Sequence, residues 1–358
     1  MIITMPHLGN LYIGAKALFD GLGVDYIIPP PTSRETLEIG SLHSAEEMCL
    51  PFKIMIGNYI QSMRQGADTI IIVGSCGPCR FGEYCELQMN LLERIGHNIE
   101  FIVIDAPKDI GKKELLKRIG KIALQSRKSK AGKLKALVDA IKVMKLIDDI
   151  EEKVRYLSGF EKNRDDFKNL LKDCKNDAMM CTNPSDTIKS LNSYKKKIKY
   201  VPLDINKAPL KIAIIGEIYT IIEPFTNLYI EDKLMNYGVS TKKRLTPSWW
   251  LKDMVLSPIN LNSLDIRRAA KPYLSMCIGG HAVECVGEAV LAQREGFDGA
   301  IQIFPLGCMP EIVSKAILPT VSKDKDFPIL TLVVDEMTGE EGYITRIEAF
   351  LDLLERRR

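Results

Sequence analysis

No apolar run in this 358-residue chain approaches the roughly 18 residues that a membrane span needs. The amino-terminal stretch, Met1-Ile2-Ile3-Thr4-Met5-Pro6-His7, has neither a basic region nor the apolar core of a secretion signal. The two absences together lead to the expectation of a cytoplasmic protein with no membrane partner. Neither sign of charge dominates: 49 basic residues face 46 acidic ones, for a formal net charge of +3. A nucleic-acid partner is not expected from that balance, because it calls for a strong basic excess or a clustered patch. Lys195-Lys196-Lys197 and Arg356-Arg357-Arg358 read as a solvated loop and a chain end. Histidine is scarce and scattered, at His7, His43, His97 and His281, and offers no cluster for zinc. No Gly-x4-Gly-Lys-Ser/Thr phosphate loop occurs, so no ATP site is expected in this chain. Cys-x2-Cys occurs at 76–79 without the second pair of a zinc ribbon.

What the chain does have is a full complement of core residues. It is 46% apolar and 27% charged, ordinary for a soluble globular protein, and long enough for two or three domains. Short apolar runs at 2–5, 25–29, 69–73, 100–104, 211–215, 240–244, 299–304 and 329–334 read as strands. The central runs are nearly all apolar, as parallel strands buried on both faces are. Helical patterns at about 12–21, 45–65, 83–95, 226–236, 280–294, 311–321 and 340–355 separate them. The alternation predicts an α/β fold with two doubly wound, flavodoxin- or Rossmann-like parallel-sheet domains. Between them, apolar residues recur at helical spacing, as at Leu134, Leu137, Val138, Ile141 and Val143-Met144, which predicts a helical insertion. The expected division is an α/β domain with cysteine loops over 1–108, a helical linker or cap over 109–200, and a second α/β domain over 201–358.

Nine cysteines in an intracellular chain point to metal binding or redox chemistry rather than a disulfide framework. Three share a local pattern: Cys49-Leu50-Pro51, Cys76-Gly77-Pro78 and Cys308-Met309-Pro310. Proline is tolerated in the first turn of a helix, so a cysteine two residues earlier lies near a helix start, beside the positive dipole end. Cys76 and Cys308 each follow a predicted strand, which places them at the carboxyl ends where α/β sheets bind ligands. Cys49 fits less cleanly. Ser44-Ala45-Glu46-Glu47 reads as a capping box, which would put Cys49 in the second turn of a helix starting at Ala45, with Pro51 bending or restarting that helix. Thiolates from separate loops meeting at strand ends suit an iron–sulfur cluster. Cys79 extends the Cys76 loop as a further ligand candidate, with Cys85 and Cys277 as secondary ones. Cys174, Cys181 and Cys285 read as buried small side chains. Cys76-Gly77-Pro78-Cys79 also matches a thioredoxin-like dithiol, but Ser75 stands where that site has Trp, and Ala106-Pro107 is a poor candidate for its later cis-proline.

Beyond the thiols, Glu217 at a strand end is a crevice candidate. His281 after Gly279-Gly280 is weighed between a structural histidine and a proton donor. Glu311 is weighed between a helix-dipole partner and a proton-transfer group. Arg80 either balances cluster charge or pairs with Glu83, and Lys53 is either a solvated helix residue or a substrate contact. Trp249-Trp250 reads as core or interface.

Met5-Pro6-His7-Leu8-Gly9-Asn10, Cys49-Leu50-Pro51-Phe52-Lys53, Gly77-Pro78-Cys79-Arg80-Phe81-Gly82, Gly216-Glu217-Ile218-Tyr219, Gly279-Gly280-His281 and Pro305-Leu306-Gly307-Cys308-Met309-Pro310-Glu311 together carry a resemblance. The chain resembles the 2-hydroxyacyl-CoA dehydratase superfamily, which includes benzoyl-CoA reductase-type subunits and double-cubane-cluster proteins. Within it, the chain is most similar to the small, acyl-CoA dehydratase activase-related branch. The resemblance implies anaerobic chemistry with a [4Fe–4S] or linked double-cubane cluster held between α/β domains. It implies an ASKHA-type ATPase as the partner that supplies low-potential electrons, and a homodimer or a heterodimer with a related subunit. By motif match Cys49 and Cys308 are implied ligands; the Gly-Pro-Cys-Arg motif points to Cys79, whereas the Cys-x-Pro pattern points to Cys76. The implied function is the iron–sulfur subunit of an ATP-dependent low-potential reductase acting on a small molecule. The alternatives are a 2-hydroxyacyl-CoA dehydratase subunit and a non-catalytic iron–sulfur electron carrier.

Overall fold

The computed structural model describes residues 1–74, 79–104, 111–256 and 262–358. Two sheets, both wholly parallel, organise it. Strands β1 (Ile3–Thr4), β2 (Thr69–Val73) and β3 (Glu100–Ile104) form the first, in the order β1-β2-β3. Strands β4 (Lys211–Gly216), β5 (Ser240–Lys242), β6 (Gly299–Pro305) and β7 (Ile329–Val334) form the second, in the order β5-β4-β6-β7. The fold is therefore α/β, as the strand–helix alternation predicts. The expected strand at 25–29 is reduced to a single bridge between Tyr26 and Ile3, because the chain turns into Pro29-Pro30-Pro31, whose missing N–H groups cannot continue a ladder.

Both sheets bury both faces. In β4, Ile212 and Ile214 face one hydrophobic cluster while Ala213 and Ile215 face another. The first cluster brings in Ile347, Phe350 and Leu351 of the Glu340–Arg356 helix, and the second Cys285, Val286 and Ala289 of the Ala282–Arg294 helix. In the other sheet Ile70 and Ile72 pack on the Leu50–Arg64 helix, and Ile3 and Ile102 on Phe19 and Ile122. The cluster that holds Ile54 and Ile70 also holds Ile214, Ile301 and Val334, so a single core runs from one sheet to the other.

The middle of the chain forms four helices, Lys112–Gln125, Lys130–Leu157, Asp166–Met180 and Pro184–Lys197. Val143, Ile147, Phe167, Leu171 and Leu191 from three of them close over Ile13 and Ala17 of the Leu11–Leu22 helix. Among the described residues, four short helices have no counterpart in the sequence reading: Arg34–His43, Ile218–Ile222, Pro247–Leu256 and Leu264–Ala270. No helix among the described residues is long and apolar enough to cross a membrane.

The helix expected to begin at Ala45 begins at Leu50 instead, with Cys49 as its extended N-cap and Pro51 in its first turn. Ser44 does not open that helix; it closes the preceding Arg34–His43 helix, whose own capping box is Ser33 with Thr36. Proline at 51 explains the shift, since a helix from Ala45 would lose a backbone donor and crowd its preceding turn there. Cys49 thus obeys the Cys-x-Pro pattern as Cys308 does.

Candidate functional site

In each sheet the strand order reverses once at a pair of neighbouring strands. The reversal lies between β4 and β6 in the larger sheet. In the smaller one it lies between β1 and β2, because the Tyr26 bridge extends the order on the far side of β1. The crevice at the carboxyl ends of such strands is where open α/β sheets bind ligands. The sequence motifs sit at these four strand ends: Met5 to Asn10 after β1, Cys79 in the loop after β2, Gly216-Glu217 after β4, and Cys308 after β6. Cys76, Gly77 and Pro78 lie outside the described residues, as does Ala106-Pro107.

Three thiols occupy the same local setting. Cys49, Cys79 and Cys308 are each the extended N-cap of a helical segment, beginning at Leu50, Arg80 and Met309 respectively. None makes a full side-chain capping bond, although the first-turn amides of Phe52, Phe81 and Glu311 lie near enough to the respective sulfurs to favour their charged form. Burial pushes all three thiols above the usual range, most strongly Cys308. Cys79 lies close enough to raise both Cys49 and Cys308, and Glu217 raises all three. The Arg80 guanidinium works the other way on Cys79. Arg80 does not pair with Glu83; it donates to the Glu47 carbonyl at 2.7 Å, tying the Cys79 loop to the loop that leads into Cys49. Tyr84, fully enclosed against Phe52 and Phe81, is hydrogen-bonded to the Cys49 sulfur.

Glu217 enters by way of Gly216. That glycine has φ +132°, and a Cβ on it would stand 2.0 Å from the Ile303 carbonyl oxygen, so the chain can leave β4 this way only without a side chain. Glu217 then caps the Ile218–Ile222 helix, accepting from the Tyr219 and Thr220 amides at 2.9 and 2.8 Å. Burial still holds its carboxyl above the usual range despite those donors. Glu311 is buried in the first turn after Cys308, where its Oε2 accepts from Gln302 at 3.0 Å and Ser314 at 2.8 Å. Burial pushes it up to about 7, into the neutral range. His281 precedes the Ala282–Arg294 helix and lies edge-on to Trp249 at 6.1 Å. Burial pushes it down to about 4, which leaves the imidazole neutral. Gly280 packs so closely on the Pro310 ring that a Cβ there would approach it to 2.5 Å, which brings the Gly-Gly-His loop onto the Cys308 loop.

The remaining candidates are spread more widely. Cys85 is half-buried against the main core, and Cys277 is exposed. Cys174 and Cys285 are buried as expected, whereas Cys181 is half-buried with its thiol donating to the Asp177 carbonyl at 3.3 Å. Lys53 is neither solvated nor facing the thiols. It is 2% exposed, with Nζ donating to the Glu46 carbonyl at 2.9 Å and to Glu336 at 2.5 Å. The sequence reading missed Glu223, which holds the first motif in place: its Oε2 meets His7 Nδ1 at 3.1 Å and accepts from the Gly9 amide at 2.8 Å. No local pattern marks Glu223; its partners come from more than 200 residues away.

Whether these residues suit an iron–sulfur cluster can be judged from the donor set. Among the described residues, no three ligating side chains converge closely enough for one metal ion. A cubane ligates each cysteine through a different iron, so its sulfurs stay several ångströms apart. Three N-cap thiols, with Cys79 in electrostatic contact with both Cys49 and Cys308, fit that requirement.

Fold and site define a doubly wound α/β protein with thiols gathered at the strand-order reversals of its two sheets. Residues 7–243 match the family described as the CoA enzyme activase uncharacterised domain (DUF2229), and the chain belongs to that family. The match takes in Cys49, Cys79 and Glu217 and ends before His281, Cys308 and Glu311. No curated protein matches the chain.

Proposed function

We propose that the chain is the cluster-bearing subunit of an ATP-dependent low-potential reductase system, in which Cys49, Cys79 and Cys308 hold a cubane-type iron–sulfur cluster. The observation that carries the proposal is the placement of three cysteines as extended N-caps of helical segments, with Cys79 within electrostatic reach of both Cys49 and Cys308. A dithiol nucleophile needs a depressed pKa. Here burial, with Glu217 adding to it, holds all three thiols above the usual range despite the helix amides beside them, Tyr84 at Cys49 and Arg80 at Cys79. Three thiolates at this spot require a compensating cation, and coordination supplies one while releasing the protons.

When bound, the cluster supplies a low-potential electron. The chain's own groups do the rest. The Arg80 guanidinium offsets negative charge beside Cys79. With Cys49 deprotonated, the Tyr84 hydroxyl is the donor in their hydrogen bond. The helix amides that follow each cysteine point their positive end at the crevice. Glu311, raised to about 7 by burial, can take up or release a proton near Cys308. Gly280 packs on the Pro310 ring beside Cys308.

The name of the family concerns the activation of CoA enzymes, and the partner we propose is an ASKHA-type ATPase that delivers the electron, with a related subunit or a second copy completing the assembly. The experiment is anaerobic purification, addition of such an ATPase with ATP, and electron paramagnetic resonance followed by turnover assays with acetylene or hydrazine. Reduction with turnover supports the reductase. Reduction without turnover of any substrate, 2-hydroxyacyl-CoA included, reassigns the chain as an electron carrier. Turnover of a 2-hydroxyacyl-CoA alone reassigns it as a dehydratase subunit.

A further inference from the structure

The Lys130–Leu157 helix has two apolar faces, and one of them is uncovered. Ala136, Ala140, Val143 and Ile147 are buried, the last two against Ile13 and Ala17. Leu134, Leu137, Val138 and Ile141 recur at i, i+3, i+4 and i+7 and so share another face. They are 64%, 46%, 55% and 42% exposed. The neighbouring Lys112–Gln125 helix, tied to this one by Lys133 Nζ on the Ala123 carbonyl at 2.6 Å, adds exposed Ile119 and Leu124. Single exposed leucines are ordinary; four exposed apolar side chains on one helix face, with two more on the next helix, mark an interaction surface.

Charge says what the surface fits. Between 113 and 145 the chain carries eleven basic residues and two acidic ones, although its overall charge is only +3. Lys117 and Arg118 pair with Glu114, Lys121 with Glu100, and Lys135 with Asp139. Arg127, Lys128, Lys130, Lys142 and Lys145 are exposed and have no ion pair among the described residues. The first turn of the 28-residue helix holds no acid, so its positive end faces further positive charge. Carboxylates brought by a partner would relieve that repulsion.

We propose that this face docks an acidic protein surface, one with an apolar centre and a rim of Asp and Glu. A two-fold contact with a second copy through the same face would set two basic segments against each other. The segment from 113 to 145 contains no aromatic residue to seat at a lipid interface. Nucleic-acid phosphates would leave the Leu–Val–Ile stripe unused. The proposal needs no metal, so its failure is separable from failure of the cluster assignment.

The test is fluorescence anisotropy of the full chain with a labelled amphipathic helical peptide, about 20 residues long with leucine at i, i+3, i+4 spacing and glutamate elsewhere. The expected result is saturable binding that weakens about tenfold when salt is raised from about 50 to about 200 mM. Hydrogen exchange should slow within 113–145 on binding. Leu137→Ser with Val138→Ser, and separately Lys130→Glu with Lys142→Glu, should each weaken binding about tenfold while leaving the melting temperature in place. A peptide with glutamine for glutamate should bind at least about tenfold more weakly. Absence of binding, or binding indifferent to both variants, overturns the proposal. So does preferred binding of phosphatidylserine vesicles or duplex DNA, or a dimer of the chain that these variants abolish.

Discussion

The Tyr84 hydroxyl is hydrogen-bonded to the Cys49 sulfur, joining the start of one helix to the N-cap of another 35 residues earlier. Ring contacts with Phe52 at 5.1 Å and Phe81 at 5.0 Å fix the tyrosine independently of that bond. Tyr84→Phe therefore keeps the packing and removes one donor from the sulfur, at a cost of about 1 kcal/mol in stability. Hydrogen bonds to cluster sulfurs raise the reduction potential. The variant should assemble the same cluster with a more negative midpoint in a redox titration followed by electron paramagnetic resonance; an unchanged midpoint would place the cluster away from Cys49.

The position of Cys49 depends on two glycines. A Cβ on Gly40 would lie 1.7 Å from the Lys53 carbonyl oxygen, and one on Gly57 would lie 1.9 Å from that of Thr36. The Arg34–His43 and Leu50–Arg64 helices thus meet backbone to backbone. Gly57→Ala should destabilise the chain by about 3 kcal/mol or more, toward the upper end of overpacking costs. Urea denaturation measures it, and a loss under about 1 kcal/mol would show that the helices can slide apart.

Lys53 reaches from the same helix to Glu336, in the loop after β7. Its Nζ also holds the Glu46 carbonyl, three residues before Cys49. Lys53→Met keeps the volume and removes both bonds. Glu336 is 29% exposed and can turn to water, so the expected loss is about 1–3 kcal/mol rather than that of a fully buried pair. The loop should loosen with it, and alkylation of Cys49 by iodoacetamide should speed up. A melting temperature and alkylation rate equal to those of the parent would contradict the clamp.

Glu288 supplies a pH test. It is 2% exposed, neither carboxyl oxygen has a partner among the described residues, and burial raises its pKa well above the usual value despite Arg244. The folded pKa lies above the unfolded one, so the stabilising contribution is complete below about pH 4.5 and falls as pH rises toward the folded value. Each pH unit inside that window removes about 1.4 kcal/mol. Glu288→Gln removes this dependence. Its melting temperature should gain on that of the parent steadily from about pH 5 to about pH 8; a constant difference would mean that the carboxyl titrates normally.

Much of the fold was legible because its strands are buried on both faces. β2, β3 and β7 fall where their uniform apolar runs place them, at 69–73, 100–104 and 329–334. Cys308 was legible too, since strand, glycine turn and N1 or N2 proline follow in direct sequence. At Cys49 the capping-box pattern of Ser44 and Glu47 set the helix start too early, and the restart at Pro51, the other reading, is what the chain adopts. Lys53 and Glu223 owe their burial to partners 283 and 216 residues away, which no local pattern records. Leu134, Leu137, Val138 and Ile141 have the spacing of a core face and lie exposed. Periodicity shows that a face is apolar and leaves open what covers it.

The central claim is that Cys49, Cys79 and Cys308 hold one iron–sulfur cluster, and metal analysis of anaerobically reconstituted protein tests it most directly. The parent chain should retain about four irons and four sulfides for a single cubane, or about twice that for a linked pair. Cys49→Ala, Cys79→Ala and Cys308→Ala should each lose most of that iron, while Cys174→Ala should keep it. Iron content that stays at zero in the parent, or that survives all three substitutions, would contradict the account.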